Sequence, residues 1–123
     1  MNAPASMHSE RHGDDIVVAL SGEPDVFNAA DMTARIEAAV PPDAHGAVID
    51  LSDVGFLDST AIRKLFVLAS RLAERRQRVH VVSPAGSSVL RTLQLVEFAR
   101  AAPMHDTLRD ALARLDAERT DPR

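Results

Sequence analysis

The stretch VIDLSDVGFLDSTAIRKLFVLA, residues 48–69, decides how the middle of this chain folds. It begins with an apolar run of strand length, which polar residues and then Gly55 interrupt. Apolar residues then recur with helical spacing, at Ile62, Leu65, Phe66, Ala69, Leu72 and Ala73. The sequence therefore predicts a buried strand, a tight turn and a helix that opens with residues 58–60.

The start of this helix carries one carboxylate and two hydroxyls, on Asp58, Ser59 and Thr60. N–H groups in the first turn of a helix lack partners within the helix, and these side chains accept hydrogen bonds from them. A helix cap, worth about 1 kcal/mol, is therefore one interpretation of the three residues. The positive end of the helix dipole also suits a phosphate or another anion. Residue types alone leave both interpretations open.

A second informative segment, IVVALSGEPD at residues 16–25, reads as a strand that ends in Gly-Glu-Pro-Asp. Downstream, residues 50–52 are Asp-Leu-Ser and residues 58–61 are Asp-Ser-Thr-Ala. In this order the segments resemble the signature of the STAS family, the bacterial anti-sigma-factor antagonist domains. That signature is a strand ending in Gly-Glu-x-Asp, a strand ending in Asp-Leu/Phe-Ser, and Asp-Ser-Ser/Thr-Gly at the start of a helix.

The resemblance extends over about residues 5–116, which we expect to form one STAS domain. It implies an α/β fold with a four- or five-stranded mixed sheet and about four helices packed mainly on one face. Alternation of strand and helix patterns along the chain also favours an α/β domain. Residues 1–4 and 117–123 are expected to be flexible termini.

Weaker patterns predict the remaining elements. They are an edge strand up to His12 pairing with Ile16–Leu20, a helix over Ala29–Val40 capped by Asn28, a helix over Thr60–Arg76, a strand over Val79–Val82, a short helix capped by Ser87, a weak strand near Ala99–Met104 and a final helix over Asp106–Asp116.

The resemblance also implies which residues act. The phosphate acceptor of the family corresponds to Thr60, with Ser59 as the alternative. The partner-binding residues are expected to be Asp25, Asp58, Ser59, Ala61, Ile62 and Arg63. Asp25 would approach the acceptor from the end of the neighbouring strand. The alternative interpretation of Asp25 is that it forms a turn beside Pro24.

Two positions depart from the family pattern. Ala61 stands where the family has Gly, and would add a methyl group where the backbone of a partner approaches. Pro24 stands where the family has an apolar residue, and removes an N–H group from the end of the strand. Both departures bear on whether a kinase recognises the site.

As an anti-sigma-factor antagonist, the unphosphorylated domain would bind an anti-sigma factor that is also a Ser/Thr kinase of the histidine-kinase-like ATPase type. A sigma factor would thereby be freed for transcription, phosphorylation would end the binding, and a Ser/Thr phosphatase would reset the switch. One alternative is a constitutive STAS subunit of a lipid-transport ABC system. Another is a module that senses a nucleotide or anion at the helix N-termini near Ser59 and Ser87.

Composition restricts the other possibilities. The chain of 123 residues is 46% apolar, which suits one domain, and its net charge of −4 argues against direct nucleic-acid binding. Because there is no Cys, we expect no disulfide and no thiolate chemistry. No apolar run approaches the roughly 20 residues that span a bilayer, so we expect a cytoplasmic protein without membrane insertion.

Motifs for intrinsic catalysis are missing from the sequence. No Gly-x-Ser-x-Gly surrounds Ser59, and no phosphate-binding loop of the Walker type occurs. The five His residues lack the spacing of metal ligands, and His80 is expected to pack or hydrogen-bond within a strand. We therefore expect a binding module that is not an enzyme and needs no metal or cofactor.

Overall fold

A five-stranded mixed sheet organises the chain. The computed structural model describes residues 5–120. In chain order its elements are β1 (Ser6–His12), β2 (Asp15–Gly22), α1 (Ala29–Ala39), β3 (Gly46–Val54), α2 (Ser59–Glu74), β4 (Arg78–Val82), α3 (Ser88–Leu95), a 3-10 turn (Phe98–Arg100), β5 (Met104–His105) and α4 (Leu108–Thr120). Neighbours in the sheet follow the order β1-β2-β3-β4-β5, antiparallel between β1 and β2 and parallel elsewhere. The predicted α/β class is confirmed.

Strand β3 is the centre of the sheet, with β2 and β4 as its parallel neighbours. Ala47, Val48 and Ile49 are at most 1% exposed, because helices cover both faces of the sheet. Burial on both faces explains why this run is continuously apolar instead of alternating. The strand continues to Val54, past the polar residues that were predicted to end it, since the end of β2 still pairs with it there.

Successive residues of the strands face two separate cores. The larger core packs one face of the sheet against α1, α2, α3 and the 3-10 turn. The smaller core packs the other face against α4, through Val17, Val48, Val82, Ala111 and Leu115. The predicted arrangement of helices mainly on one face is confirmed, and α4 is the exception.

Most predicted ends in the first three quarters of the chain lie within two residues of those observed. Ser87 caps α3 as predicted, because its Oγ accepts a hydrogen bond from the N–H of Leu90 at 3.0 Å. Asn28 precedes α1 as predicted, but its side chain does not cap the helix. Its Oδ1 instead accepts from the N–H of Asp25 at 2.9 Å, so Asn28 stabilises the preceding loop.

The prediction of a strand near Ala99–Met104 was largely wrong. The chain forms the 3-10 turn first, and only Met104–His105 joins the sheet beside β4. The backbone N–H of Val81 donates to the Pro103 carbonyl at 2.9 Å, which holds this short strand in place. Ala102 within this stretch and Phe98 just before it are each 1% exposed and belong to the larger core.

Helix α4 begins later and ends later than the predicted Asp106–Asp116. Thr107 accepts a hydrogen bond from the N–H of Asp110 at 3.1 Å and so caps the first turn, whereas Asp106 accepts from the N–H of Ala85. Residues 117–120, predicted to belong to a flexible terminus, continue the helix. The remaining predicted termini, 1–4 and 121–123, lie outside the described residues. No helix within residues 5–120 is long and apolar enough to cross a membrane.

Gly46 makes room for α4 where that helix crosses β3. A Cβ atom at this position would lie 2.8 Å from Leu115 Cδ2 and 2.9 Å from the Arg78 carbonyl oxygen. We predict that Gly46→Ala lowers the free energy of unfolding by about 1–3 kcal/mol, because the sheet backbone cannot move aside. Urea denaturation measures the change.

Gly55→Ala is the matched control for this prediction. A Cβ atom at Gly55 would meet no atom closer than Glu23 Oε2 at 4.0 Å. The control should therefore leave stability within about 0.5 kcal/mol of the wild type. Equal losses in both variants would contradict the explanation by crowding.

Candidate functional site

Two loops meet at the edge of the sheet where the parallel strands end. Residues 23–28 connect β2 to α1, and residues 55–58 connect β3 to α2. The N–H of Gly55 donates to the Gly22 carbonyl at 3.0 Å, which brings the starts of the loops together. This edge carries the segments that the sequence analysis singled out.

The carboxylate of Asp58 joins the two loops. Its Oδ1 accepts from the N–H of Ala61 at 2.8 Å, which caps α2 as the sequence predicted. Its Oδ2 accepts from the N–H of Val26 at 2.9 Å, a contact that the sequence analysis did not anticipate. One ionised side chain therefore both starts the helix and holds the β2–α1 loop against it.

Ser59 and Thr60 are the first two residues of α2. Ser59 is exposed and Thr60 is partly exposed. Within residues 5–120, neither hydroxyl forms a hydrogen bond to another side chain, and Asp58 satisfies the amide of Ala61. Both hydroxyls can therefore be reached from solvent at the positive end of the helix dipole.

Asp25 lies on the same edge, but its side chain is engaged within its own loop. Its Oδ1 accepts from the N–H of Phe27 at 2.9 Å, and its carbonyl accepts from the N–H groups of Asn28 and Ala29. The loop contacts the start of α2 through the amide of Val26, which donates to Asp58, and not through the Asp25 side chain. This geometry matches the turn-forming interpretation of Asp25.

The predicted role of Ala61 in partner contact needs correction. Its side chain is 2% exposed and lies among the apolar residues between α1 and α2. The methyl that replaces the family Gly therefore faces the interior, not the surface that a partner would approach. Ile62 is half-buried and packs against the same core, whereas Arg63 is exposed.

Three exposed apolar side chains lie in the two loops of the site, and we call them the apolar rim. They are Val26 at 58%, Phe27 at 92% and Phe56 at 54% exposure. Phe27 precedes the helix-capping position, where an apolar residue commonly packs against the first turn as a hydrophobic staple. Its exposure shows that it forms no such staple. The sequence analysis missed the rim, although an apolar pair beside Asp25 in a polar loop was a signal.

The comparisons with known proteins agree with this architecture. The STAS domain family model matches residues 6–111, so the chain belongs to the STAS domain family. The matched region contains both loops of the site and all five strands. No curated protein sequence matches the chain.

Solved structures share the fold. An anti-sigma factor antagonist from Mycobacterium paratuberculosis has a TM-score of 0.81 and 29% identity, over 92% of this chain and 95% of that one. The Bacillus cell fate determinant SpoIIAA in its phosphorylated form has a TM-score of 0.65 and 17% identity, over 89% and 99%. A sulfate transporter family protein from Wolinella succinogenes has a TM-score of 0.74 and 14% identity, over 88% of this chain and 89% of that one. The last two matches show a shared fold alone.

We predict that Asp58→Ala loosens both elements that its carboxylate joins. Two hydrogen bonds are lost, so the free energy of unfolding should fall by about 1–3 kcal/mol. Amide hydrogen exchange should become faster at Val26 and at Ala61. Asp53→Ala, at an exposed position near the end of β3, is the control and should change neither amide. Faster exchange at Ala61 alone would contradict the joining role.

Proposed function

We propose that this protein is an anti-sigma-factor antagonist whose binding is controlled by phosphorylation of Thr60. The docking edge is formed by Ser59, Thr60 and the apolar rim of Val26, Phe27 and Phe56. The observation that carries the proposal is the placement of two accessible hydroxyls beside exposed apolar side chains. Likeness to the mycobacterial anti-sigma factor antagonist supports the same choice.

The apolar rim favours a protein partner over a small ligand. Burial of apolar surface drives most protein association, and aromatic side chains are common among the residues that contribute most. Phe27 is 92% exposed in the free chain, so covering it removes a large apolar area from water. A partner that covers this side chain would also come close to Thr60.

Thr60 is the proposed phosphate acceptor, and Ser59 is the alternative. Phosphorylation adds about −1.5 to −2 charges at neutral pH, at a place where close and dehydrated contact is needed. A SpoIIAA structure in a phosphorylated form supports the idea that this fold tolerates the modification.

The charges around a phosphate on Thr60 oppose one another. The helix dipole attracts the phosphate by about 0.3–1 kcal/mol, whereas the Asp58 carboxylate repels it by up to about 4 kcal/mol at contact distance. Arg63, exposed one turn along α2, is placed to offset part of this repulsion. We therefore expect phosphorylation to disturb the fold little and to weaken partner binding strongly.

The proposed partner is an anti-sigma factor that is itself a Ser/Thr kinase of the histidine-kinase-like type. Binding would sequester this factor in the cytoplasm and leave a sigma factor free for transcription. Phosphorylation of Thr60 by the same partner would end the binding, and a Ser/Thr phosphatase would restore it. The ATP would belong to the kinase, so this chain needs no cofactor of its own.

We predict that Thr60→Glu abolishes capture of the anti-sigma factor from an extract of the native cell. The dissociation constant of the purified pair should rise by about a hundredfold or more, because a like charge in the contact costs roughly 3 kcal/mol. Calorimetry of wild type and variant measures this change.

Thr60→Gln is the matched control, since the Gln side chain has nearly the same size as Glu but carries no charge. Binding by the Gln variant should remain much closer to that of wild type. Full binding by Thr60→Glu would contradict control by phosphate. Capture of an ABC ATPase or another transport component, held equally by both variants, would instead identify a constitutive STAS subunit.

A separate prediction concerns the apolar rim. Phe27→Ser should weaken binding of the same partner by about thirtyfold, the effect of losing roughly 2 kcal/mol at a central aromatic contact. Leu95→Ser is the control, because Leu95 is 79% exposed but lies at the far end of α3. Equal effects of the two substitutions would contradict the proposed location of the docking edge.

A further inference from the structure

A chain of three side chains connects α4 to the sheet on the face opposite the larger core. His80 of β4 is 1% exposed. Its Nδ1 lies 2.8 Å from Nε2 of His105 in β5, and its Nε2 lies 2.9 Å from Oε1 of Glu118 in α4. The two imidazole rings are stacked, with centroids 5.0 Å apart. One buried ring therefore contacts both elements at the C-terminal end of the chain.

The number of protons that this chain of contacts can hold is limited. An ionised carboxylate only accepts hydrogen bonds, so Nε2 of His80 must carry the proton that faces Glu118. The contact between His80 and His105 then has room for one proton, on either of the facing nitrogens. A second proton here would point two N–H groups at each other across 2.8 Å, and His80, already protonated at Nε2, would then carry a positive charge.

We propose that His80, His105 and Glu118 form an acid-sensitive latch that holds α4 and β5 against the sheet. The latch is stable when the two facing imidazole nitrogens share one proton. It opens when both rings are protonated or when Glu118 loses its charge. The proposal concerns the α4 face and is independent of partner binding at the docking edge.

Neighbouring charges act on the same three groups. Arg114 of α4 lies 3.5 Å from Oε2 of Glu118, and Asp110 of the same helix faces His105. Arg78 of β4 also acts on Glu118. An open cavity of about 360 Å³ is lined by His80 and Glu118 together with Arg76 and Arg78, which gives water and protons access to the latch.

The direction of the pKa shifts agrees with opening in acid. Burial, together with the charges of His80 and Arg114, lowers the pKa of His105 below 6.5. Burial alone would raise the pKa of Glu118, but its hydrogen bond and charge interaction with His80 lower it below 4.5. A lowered pKa means that the unfolded chain binds the proton more readily. Stability from His105 is therefore present above about pH 6.5 and is lost below it, and that from Glu118 is lost below about pH 4.5.

Helix α4 is held by few buried residues. Only Ala111 and Leu115 are buried in it, compared with five residues in α2. Its second polar attachment joins Arg119 to Asp15 of β2 at 3.2 Å, and Asp15 also contacts His45 at 3.1 Å. Further charges on this attachment come from Asp14 and Asp116. Opening of the latch therefore leaves the helix held by Arg119 and by its apolar contacts with the smaller core.

Hydrogen exchange of the whole chain tests the latch at about pH 7.5 and about pH 5.5, on either side of the ordinary histidine pKa. After correction for intrinsic exchange, amides of α4 should open about tenfold more often at the lower pH, while those of α2 should not. Equal opening of the α4 amides at the two pH values would overturn the proposal.

Variants separate the latch from general acid sensitivity. In His105→Asn the response of α4 to pH should largely disappear, because His80 can then hold a proton beside Glu118 without a second imidazole opposite. His8→Asn, at an exposed position on β1 at the opposite edge of the sheet, is the control and should keep the wild-type response. An unchanged response in His105→Asn, or loss of the response in His8→Asn, would contradict the assignment.

NMR titration of the wild-type histidine rings gives a second test that does not depend on a variant folding. The proposal expects the His105 ring to take up its proton below the ordinary histidine midpoint, because its pKa is lowered by burial and by the charges of His80 and Arg114. Titration of the His105 ring at the ordinary histidine midpoint would overturn it.

Discussion

The carboxylate of Asp58 is the contact on which the docking edge depends. Each of its oxygens accepts one backbone N–H, from Ala61 in the first turn of α2 and from Val26 in the β2–α1 loop. A hydrogen bond to an ionised acceptor is stronger than one between neutral groups, so this side chain can hold the β2–α1 loop against α2. These two hydrogen bonds fix the loop that carries Phe27 relative to the helix that carries Thr60.

The sheet keeps two polar regions apart. Parallel strands place the docking edge at their carboxyl ends, above the core that α1, α2 and α3 share. The histidine latch lies on the opposite face, where α4 covers Val48 and Val82. Strand β3 contributes to both faces, because alternate side chains point in opposite directions. A charge added at one region therefore need not disturb the other.

Sequence reasoning succeeded where local pattern decides structure. The strand, turn and helix around residues 48–69 follow from strong periodicity and from turn residues, and the cap by Asp58 follows from residue type. The mixed sheet with helices mainly on one face came from the family resemblance, since periodicity does not determine topology. Partner-binding and phosphorylation roles rest on that resemblance and on the exposed rim, and they remain proposals.

Other features depend on contacts that no local pattern encodes. The direction of Ala61 is set by how α2 is rotated against α1, and Phe27 is exposed because nothing in the first turn of α1 receives it. The last turn of α4 is held by Glu118, whose partner His80 is distant in sequence. Each of these required the tertiary structure.

Phosphate mapping on the protein isolated from its native cells tests the central claim most directly. The bound fraction, recovered with its partner, and the free fraction would each be digested and analysed by mass spectrometry. The account predicts phosphate on Thr60 in the free fraction and unmodified Thr60 in the bound fraction. Equal phosphorylation of Thr60 in both fractions, or a free fraction with no phosphate on Thr60 or Ser59, would contradict it.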